Sequence, residues 1–364
     1  MTNMRLESKR RPRLVDEISE TIDRILTRHG TQIRARGPEF AHTWDVATQC
    51  LTGGKLLRPR LLLGTFDALT ADALCTFALR DVALEAAAGV EILHFAFLLH
   101  DDIIDEDVMR RGEPNLVGRL IDSGTSQAGQ ARLTHWARSS GLLVGDLMLT
   151  IAHQVFARAQ MPESQRLRLL DLLDETVTET VAGEYYDVSF ANRCHPAELA
   201  VVLEMTRMKT ATYTFEFPLR AAAIIADACP RLEQRLGEIG QHLGIAFQLQ
   251  DDLLSAFGQS DQHGKDQFSD FREAKETALI AYARITPQWD AIAQLLHSPC
   301  FTPESGFETQ RLLSECGAKE FIESLVHNHI GLALEGLSAE HEDVPAPVRE
   351  FILQLVDTLK GRNT

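Results

Sequence analysis

Two clusters of acidic residues are the clearest chemical feature of this chain of 364 residues. The first is the segment HDDIIDED, with Asp101, Asp102 and Asp105, and the second is QLQDDLL, with Asp251 and Asp252. If a helix continues through the first cluster, Asp101 and Asp105 lie one turn apart on the same face. Carboxylates at a helix C-terminus repel one another and the partial negative charge of the helix end. We therefore predict a bound cation, and Mg²⁺ is the hard ion that combines a few carboxylate oxygens with water or phosphate.

Each aspartate pair also has an ordinary structural interpretation. A single pair is often a solvated helix end or an N-cap, and taken alone either pair favours that interpretation. Two such pairs, each at the end of a long apolar helix, are harder to explain in this way, because charged groups gain nothing from an apolar core. The coincidence favours a functional site.

Basic residues lie between and around the acidic clusters. The segment GGKLLRPR is a glycine turn followed by Lys55 and Arg58 at the start of a helix, an arrangement suited to an anion. Other basic and hydroxyl side chains follow along the chain: Arg110, Arg111, Lys209, Thr210 and Lys265. Any one of them could be an ordinary surface residue. Together with two acidic clusters they predict a cavity for a polyphosphate and several Mg²⁺ ions.

The segments that must position these residues have helical periodicity. Apolar residues recur at three- and four-residue spacing, and no convincing run alternates as a strand does. The predicted helices are 14–33, 72–100, 133–159, 163–190, 232–257 and 269–296, and the predicted loops are 106–130 and 258–270. We therefore predict an all-α fold in a single domain, 1–364, with a helical C-terminal extension at about 299–364.

The composition limits the partners and the compartment. A count of 36 Lys and Arg against 52 Asp and Glu gives a formal net charge of −16, so there is no global basic footprint for nucleic acid. The six cysteines are scattered without a CxxC pair, which predicts buried, reduced thiols in a cytoplasmic protein. The most apolar stretch, 82–99, contains Glu85, Glu91 and His94, so we expect no membrane span. The basic residues at 9–13 precede an acidic helical pattern, which argues against a secretory signal.

Five motifs, in order, resemble those of the trans-type isoprenyl diphosphate synthases, the polyprenyl synthetases. GGKLLRPRLLL is similar to the GGKxxRP segment of that family, and HDDIIDEDVMRRG to its first aspartate-rich motif with the trailing arginine pair. The segments Gly145–Asp146–Leu147 and KTATY, which begins at Lys209, resemble two helical elements of the family. FQLQDDLLSAFG, then Gly264–Lys265 and SDFREAKETALIAYA, are similar to its second aspartate-rich region. The resemblance spans a core of about 51–283.

This resemblance implies a bundle of long antiparallel helices around a central active-site cavity, the isoprenoid synthase type, assembled as a homodimer. It implies a prenyltransferase that condenses isopentenyl diphosphate with an allylic diphosphate and releases diphosphate. Asp101 and Asp105 would hold two Mg²⁺ ions and Asp251 a third, with Asp102 and Asp252 in support. Mn²⁺ is the alternative ion.

The resemblance also implies contacts with both substrates. The positions that match the allylic diphosphate site are Arg110, Lys209, Thr210, Gln248 and Lys265. Those that match the isopentenyl diphosphate site are Lys55, Arg58, His94 and Arg111, and Lys275 matches a more peripheral cation. The residues expected to act in catalysis are Asp101, Asp105, Lys209, Thr210, Gln248, Asp251 and Lys265. Mild departures from the family pattern occur at Ser255, where many members have a third Asp, and at His263, Phe271 and Ala274.

Product length depends on the residues before the first acidic motif. Farnesyl-producing relatives often place an aromatic residue at the position of Ala96, and a small residue there leaves room for a longer chain. Phe97 is bulky and is the second candidate for limiting the product, although plain helix packing would explain both residues. We predict geranylgeranyl diphosphate (C20), with farnesyl diphosphate (C15) as the alternative.

Other classes of protein share part of this pattern. A class I terpene cyclase also ionises a diphosphate at aspartates on helices, but it should have an NxxxSxxxE-type motif and lack the GGKxxRP and Arg-Arg-Gly elements. A non-catalytic partner subunit of a heteromeric synthase tends to lose metal-binding aspartates, and this chain retains all five. A purely structural helical protein would gain nothing from two acidic clusters. The enzyme is the interpretation that uses every motif.

Overall fold

The computed structural model describes residues 4–51, 54–71, 77–110, 112–127, 129–258, 268–273, 275–298, 300–338 and 344–360. Within these ranges the chain is almost entirely helical. The strands in this part are β1 (Met109–Arg110) and β2 (Glu113–Pro114), which pair in antiparallel fashion, with Arg110 opposite Glu113. The prediction of an all-α fold is confirmed.

The chain divides into two compact units, the first of which comprises Met1–Asp171 and Ala221–Ala228. Its helices are α1 (Met4–Arg34), α2 (Pro38–Leu51), α3 (Leu57–Leu69), α4 (Phe77–Ile104), α5 (Leu116–Ser123) and α6 (Gln130–Ala157). Helix α4 packs most extensively against α6. Gly89 permits this close approach, because a Cβ there would lie 3.1 Å from Cγ1 of Val155 on α6. The end of α4 is therefore held on a rigid helix pair.

The second unit comprises Leu172–Arg220 and Cys229–Thr364, so that the three unit boundaries fall within α7, within α9 and between α9 and α10. The elements from α7 onward are α7 (Glu163–Ala191), α8 (Leu199–Thr206), a π-helix (Arg207–Glu216), α9 (Phe217–Ile225), α10 (Pro230–Phe257), α11 (Ser269–Arg272), α12 (Ala278–Ala283), α13 (Trp289–Leu296), α14 (Pro303–Glu315), α15 (Ala318–Gly336) and α16 (Ala346–Lys360). Helix α10 packs mainly against α15 and the π-helix. The single-domain organisation stays a prediction.

Two predicted segments differ from the structure. The predicted helix 269–296 is three short helices, because Thr277 caps α12 with its hydroxyl and Pro287 lies just before α13. The predicted loop 106–130 contains the β1–β2 pair and α5, which Asn115 caps by accepting a hydrogen bond from the Gly118 amide. Short capped elements of this kind are shorter than the window over which helical periodicity is visible.

Two helices are long and apolar enough to cross a membrane by length and composition alone: Leu79–Ile104 within α4, and α6. In the α4 segment 78% of the most apolar window is buried inside the protein, against 44% for α6. Burial of this kind is typical of a core helix, so the two helices are weak evidence for a membrane span.

The described cysteines are all free thiols. Cys194, Cys229 and Cys300 are exposed, which corrects the expectation that the thiols would be buried. They lie in or next to the connections between helices, where a short side chain is not drawn into the core. Cys50 is half-buried, and burial raises the pKa of its thiol.

Candidate active site

The first acidic cluster lies at the C-terminus of α4. The amide of Asp105 donates to the carbonyl of Asp101 at 2.9 Å, so helical geometry continues one residue beyond Ile104. Glu106 then adopts a left-handed conformation with φ of 61°, and the Asp107 amide donates to the Asp102 carbonyl at 2.8 Å. This pattern is a Schellman-type helix end. It places Asp101 and Asp105 on one face, as the sequence predicts.

Arg110 returns to this helix end from β1. Its Nη2 lies 3.0 Å from Oδ2 of Asp101, and its Nε lies 2.8 Å from Oδ1 of Asp102. The Asp102 side chain is only 4% exposed, whereas that of Asp101 is 25% exposed. The structure thus brings together three of the predicted site residues through charge-assisted hydrogen bonds.

The electrostatics of this cluster are dominated by burial. Burial raises the pKa of Asp102 to about 6, and the charge and hydrogen bonds of Arg110 only partly oppose that effect. Burial alone would lower the pKa of Arg110, but Asp102 and Asp101 outweigh it and raise that pKa, so the guanidinium stays charged. The positive charge of the half-buried Arg110 is therefore a fixed feature of this site.

The Gly145–Asp146 segment on α6 packs against the same helix end. A Cβ at Gly145 would lie 2.3 Å from Nε2 of His100, the residue that precedes Asp101. The Oδ1 atom of Asp146 lies 3.5 Å from the same nitrogen. A larger residue at this position would have to displace His100, so the glycine sets how closely α6 approaches the acidic cluster.

Lys209 and Thr210 lie in the π-helix of the second unit. The Lys209 Nζ is 2.8 Å from Oε2 of Glu184 and 2.5 Å from Oδ2 of Asp187, both on α7. Thr210 is half-buried in the same element. Sequence reasoning missed Glu184 and Asp187, although the segment GEYYD could have revealed them: carboxylates three residues apart lie on one face of a helix.

Ion pairs and glycines hold the π-helix in place. Nη1 of Arg207, at its first residue, lies 2.8 Å from Oε2 of Glu179, and the Thr212 hydroxyl donates to the same oxygen at 3.0 Å. A Cβ at Gly183 of α7 would lie 2.3 Å from the Lys209 backbone nitrogen, and one at Gly244 of α10 would lie 2.5 Å from Cα of Ala211. These close contacts from α7 and α10 fix the position of Lys209. A π-helix is uncommon and often marks a functional site, which agrees with a functional role for this segment.

The second acidic cluster lies inside α10 rather than at its end. The helix continues through Phe257, beyond Asp251 and Asp252, so the cluster does not meet the helix terminus as expected. Nε2 of Gln248 donates to Oδ1 of Asp252 at 2.8 Å, as i,i+4 spacing allows. Asp252 is buried and Asp251 is half-buried. The structure thus pairs two predicted site residues within the second unit.

The remaining predicted residues are spread over other elements. Lys55 is exposed before α3, whose first turn contains the half-buried Arg58, and His94 is buried on α4. Ala96 is fully buried on α4 and Phe97 is half-buried. The Nζ atom of Lys275 lies 3.2 Å from Oε2 of Glu273. Arg111 and Lys265 lie outside the described residues.

The donor set of the first cluster fits Mg²⁺. Asp101 and Asp105 present oxygen ligands on one helix face, as a hard ion requires. In the described ranges no group of three or more His, Cys, Asp or Glu side chains is arranged to hold a metal by itself. Mg²⁺ usually takes one or two carboxylates and completes its shell with water and substrate phosphate. The arrangement suits an ion that binds together with a phosphorylated ligand.

Comparison with known proteins places the chain in a family. The family model described as "Polyprenyl synthetase" matches residues 42–298, which include all five motifs. A geranylgeranyl diphosphate synthase of Methanosarcina mazei is 28% identical over 310 residues, covering 85% of this chain and 86% of the relative. A geranylfarnesyl diphosphate synthase of Aeropyrum pernix is 30% identical over 313 residues, covering 85% of this chain and 91% of the relative.

The fold also matches a solved structure. The geranylgeranyl pyrophosphate synthase of Corynebacterium glutamicum, crystallised with isoprenyl diphosphate and magnesium, aligns with a TM-score of 0.84 and 27% identity. The alignment covers 95% of this chain and 97% of that one. Family profile, curated relatives and fold agree across nearly the whole length. The chain therefore belongs to the polyprenyl synthetase family and is a trans-prenyltransferase.

Proposed function

We propose that this chain condenses isopentenyl diphosphate with an allylic diphosphate and releases geranylgeranyl diphosphate (C20). The supporting observation is that the family match over 42–298 contains both acidic clusters and every basic residue singled out in the sequence. Two relatives are named as geranylgeranyl and geranylfarnesyl diphosphate synthases, which make C20 and longer products. The solved relative holds an isoprenyl diphosphate with magnesium.

The carboxylates are assigned to metal binding. Asp101 and Asp105 hold two Mg²⁺ ions and Asp251 a third, with Asp102 and Asp252 as supporting residues and Mn²⁺ as the alternative ion. When bound, Mg²⁺ supplies positive charge to the diphosphate as the allylic C–O bond breaks. Asp102 supports the site indirectly by orienting Arg110. Its buried carboxylate accepts two hydrogen bonds from the Arg110 guanidinium.

The cations and polar groups are assigned to the substrates. Arg110, Lys209, Thr210, Gln248 and Lys265 bind the allylic diphosphate, Lys55, Arg58, His94 and Arg111 bind isopentenyl diphosphate, and Lys275 supports them from the periphery. Glu184 and Asp187 orient the Lys209 ammonium until a diphosphate oxygen takes over one of its hydrogen bonds. The backbone carbonyls at Lys209 and Thr210 and the amide oxygen of Gln248 stabilise the allylic cation by their dipoles.

The condensation needs no further protein nucleophile. The C–O bond of the allylic diphosphate breaks, the C=C bond of isopentenyl diphosphate attacks the cation, and the departing diphosphate takes the proton that is lost. Apolar residues on α4 exclude the water that would otherwise quench the cation.

The product length is assigned to the buried face of α4. Ala96 is fully buried one turn or so before Asp101, and its methyl group occupies little of the space that a prenyl chain needs. Each additional prenyl unit requires about one more helical turn, roughly 5 Å. The half-buried Phe97 is the residue that would stop growth at C15 if its ring turned inward.

The decisive experiment measures products from defined starters. The full chain is incubated with Mg²⁺, isopentenyl diphosphate and, separately, dimethylallyl, geranyl and farnesyl diphosphate, and the hydrolysed products are sized by mass spectrometry. We expect a C20 alcohol from the farnesyl starter. Refusal of farnesyl diphosphate with growth to C15 would support the alternative product, and no condensation with any starter would favour a non-catalytic partner subunit.

We further propose that the chain forms a homodimer through the exposed apolar face of α6. Trp136, Leu142 and Leu143 are 44%, 47% and 64% exposed, and an apolar face of this kind on a long helix is typical of an interface. Light scattering should give the mass of two chains. Leu143→Glu should shift that mass toward one chain, while the exposed but isolated Ile285→Glu should leave it unchanged.

We also propose that residues 1–364 act as one domain in the cytoplasm. Thermal unfolding of the full chain should then follow a single cooperative transition with coincident far- and near-UV signals. Two separate transitions would contradict this proposal and show that the two compact units unfold independently.

A further inference from the structure

Two histidines of the second unit face each other away from the residues assigned above. Nδ1 of His242 on α10 lies 3.1 Å from Nδ1 of His329 on α15. The ring centroids are 5.3 Å apart and the rings are tilted by 47°, so the facing nitrogens, not the ring faces, make the contact. Both side chains are half-buried between two extensively packed helices.

The separation of the two nitrogens matches chelation of one ion. Imidazole nitrogens bind Zn²⁺ at about 2.0–2.1 Å, so two of them at 90° to 109° around one ion are about 2.8–3.4 Å apart. The observed 3.1 Å lies within that range. An ion cannot occupy the position of the shared hydrogen, because the midpoint of the 3.1 Å separation is too close to both nitrogens for a metal bond. For an ion to bind, the Nδ1–H ring passes that proton to Nε2, and both rings rotate about their side-chain bonds until the two Nδ1 lone pairs converge on one side of the line between them.

The protonation state of the pair also suits a metal. Burial lowers the pKa of His242, and burial together with the His242 charge lowers that of His329. Both rings are then neutral near pH 7, and neutral imidazole is the form that ligates metals. Glu238, one turn before His242, is the charged side chain that acts on His242, and its carboxylate is itself paired with Arg235 at 3.3 Å.

We propose that His242 and His329 form a two-imidazole binding site for a divalent transition metal of the Zn²⁺, Ni²⁺ and Cu²⁺ class. Imidazole suits these borderline ions, whereas Mg²⁺ requires oxygen ligands, so this site is chemically distinct from the aspartate clusters. In the described residues no third His, Cys, Asp or Glu completes a preformed group. Water fills the remaining positions, and the site is an accessory one that exchanges its ion.

The bound ion ties α10 to α15. His242 lies nine residues before Asp251, about two and a half turns along the same helix. A metal link at this point stabilises the helix pair that supports the second acidic cluster. Metal binding to the folded state alone raises the melting temperature, and the rise grows with the logarithm of the free ion concentration once that exceeds Kd.

The test uses the full chain without a polyhistidine tag. Thiols are alkylated, because the exposed Cys194, Cys229 and Cys300 would also bind Zn²⁺, and excess Mg²⁺ is present to occupy the carboxylates. Equilibrium dialysis against Zn²⁺ should show one ion per chain that is absent from the double variant His242→Gln/His329→Gln. Each single variant should weaken binding by about tenfold or more.

A matched control lies on the same helix. His327 is exposed and its Nδ1 bonds to the Glu323 carbonyl, so His327→Gln should retain the ion. Zn²⁺ should raise the melting temperature of wild type and of His327→Gln, but not of the double variant, whose circular dichroism and Mg²⁺-dependent turnover verify that it is folded. Equal Zn²⁺ binding by wild type and the double variant would overturn the proposal and leave the pair as an ordinary hydrogen bond between helices.

Discussion

The two acidic clusters look alike in the sequence but differ in the structure. Asp101 and Asp102 lie in the last turn of α4, where the helix terminus adds negative charge, and Arg110 contacts both of them. Asp251 and Asp252 lie inside α10, and Asp252 accepts a hydrogen bond from the neutral amide of Gln248. The same residue types therefore stand in two different electrostatic settings.

This difference shows two ways in which a folded chain stabilises clustered carboxylates when no metal ion is bound. A buried carboxylate at a helix C-terminus is costly and is stabilised here by a permanently charged guanidinium. A carboxylate inside a helix avoids the terminal charge, and the neutral amide of Gln248 is one donor to Asp252. We infer that the first cluster depends on Arg110 for its integrity.

The largest expected effect is on turnover. Asp101→Ala and Asp251→Ala each remove an assigned metal ligand, so we expect kcat to fall by about 10³-fold or more with little change in circular dichroism. The exposed Asp171→Ala serves as the control and should retain full activity. Activity that survives in Asp101→Ala would show that the metal assignment of the first cluster is wrong.

The next effect is a pH dependence at the first cluster. The pKa of Asp102 is about 6 in the folded chain against an ordinary value of 3.8, so the folded state binds more protons between these values. The associated stability is present below about pH 4 and is lost as the pH rises through 6, by up to about 3 kcal/mol.

Urea unfolding without metal at several pH values between 4 and 7 measures this effect. The free energy of unfolding of wild type minus that of Asp102→Asn should fall as the pH rises across that window, because the amide in the variant does not titrate. Asp252→Asn provides the comparison at the second cluster. A difference between wild type and Asp102→Asn that is flat with pH would contradict the raised pKa.

Glycine substitutions test the packing difference. A Cβ at Gly244 meets backbone, Cα of Ala211 at 2.5 Å, whereas one at Gly145 meets the end of the His100 side chain at 2.3 Å. We expect Gly244→Ala to lower the free energy of unfolding by about 1–3 kcal/mol and to reduce turnover through displacement of the π-helix. Gly145→Ala should cost less, since an imidazole can rotate away.

Gly331 in α15 is the matched control, because nothing lies within 4 Å of its added Cβ. Gly331→Ala should raise the free energy of unfolding by about 0.5–1 kcal/mol through helix propensity alone. If Gly244→Ala raises the free energy of unfolding as Gly331→Ala does, the close contact between Gly244 and Ala211 does not contribute to stability.

The smallest effect concerns the end of α4. Glu106 holds a left-handed conformation that glycine adopts more easily, and its pair with Arg138 is exposed and contributes little. Glu106→Gly should raise the free energy of unfolding by about 0.5–1 kcal/mol, and Glu106→Ala should not. Chemical denaturation of both variants separates relief of backbone strain from loss of the ion pair.

The long helices and the residue types of the candidate site were predictable from the sequence pattern. The 3.6-residue period of α4, α6, α7 and α10 is visible in any window of their sequence, and five motifs in order identify the family. The bounds of short elements were not predictable in this way. Helices α5 and α12 are set by single capping residues, Asn115 and Thr277, whose influence is too local for a periodicity argument.

The contacts between site residues also fall into a predictable and an unpredictable group. By itself the sequence determined which residue types are present and, through helical spacing, that Asp101 and Asp105 share a face and that Gln248 can reach Asp252. Only the tertiary structure decided that Arg110 returns to Asp102, that Glu184 and Asp187 meet Lys209, and that His242 meets His329. The physical reason is that spacing along one helix fixes neighbours within about a turn, whereas contacts between elements depend on how those elements pack.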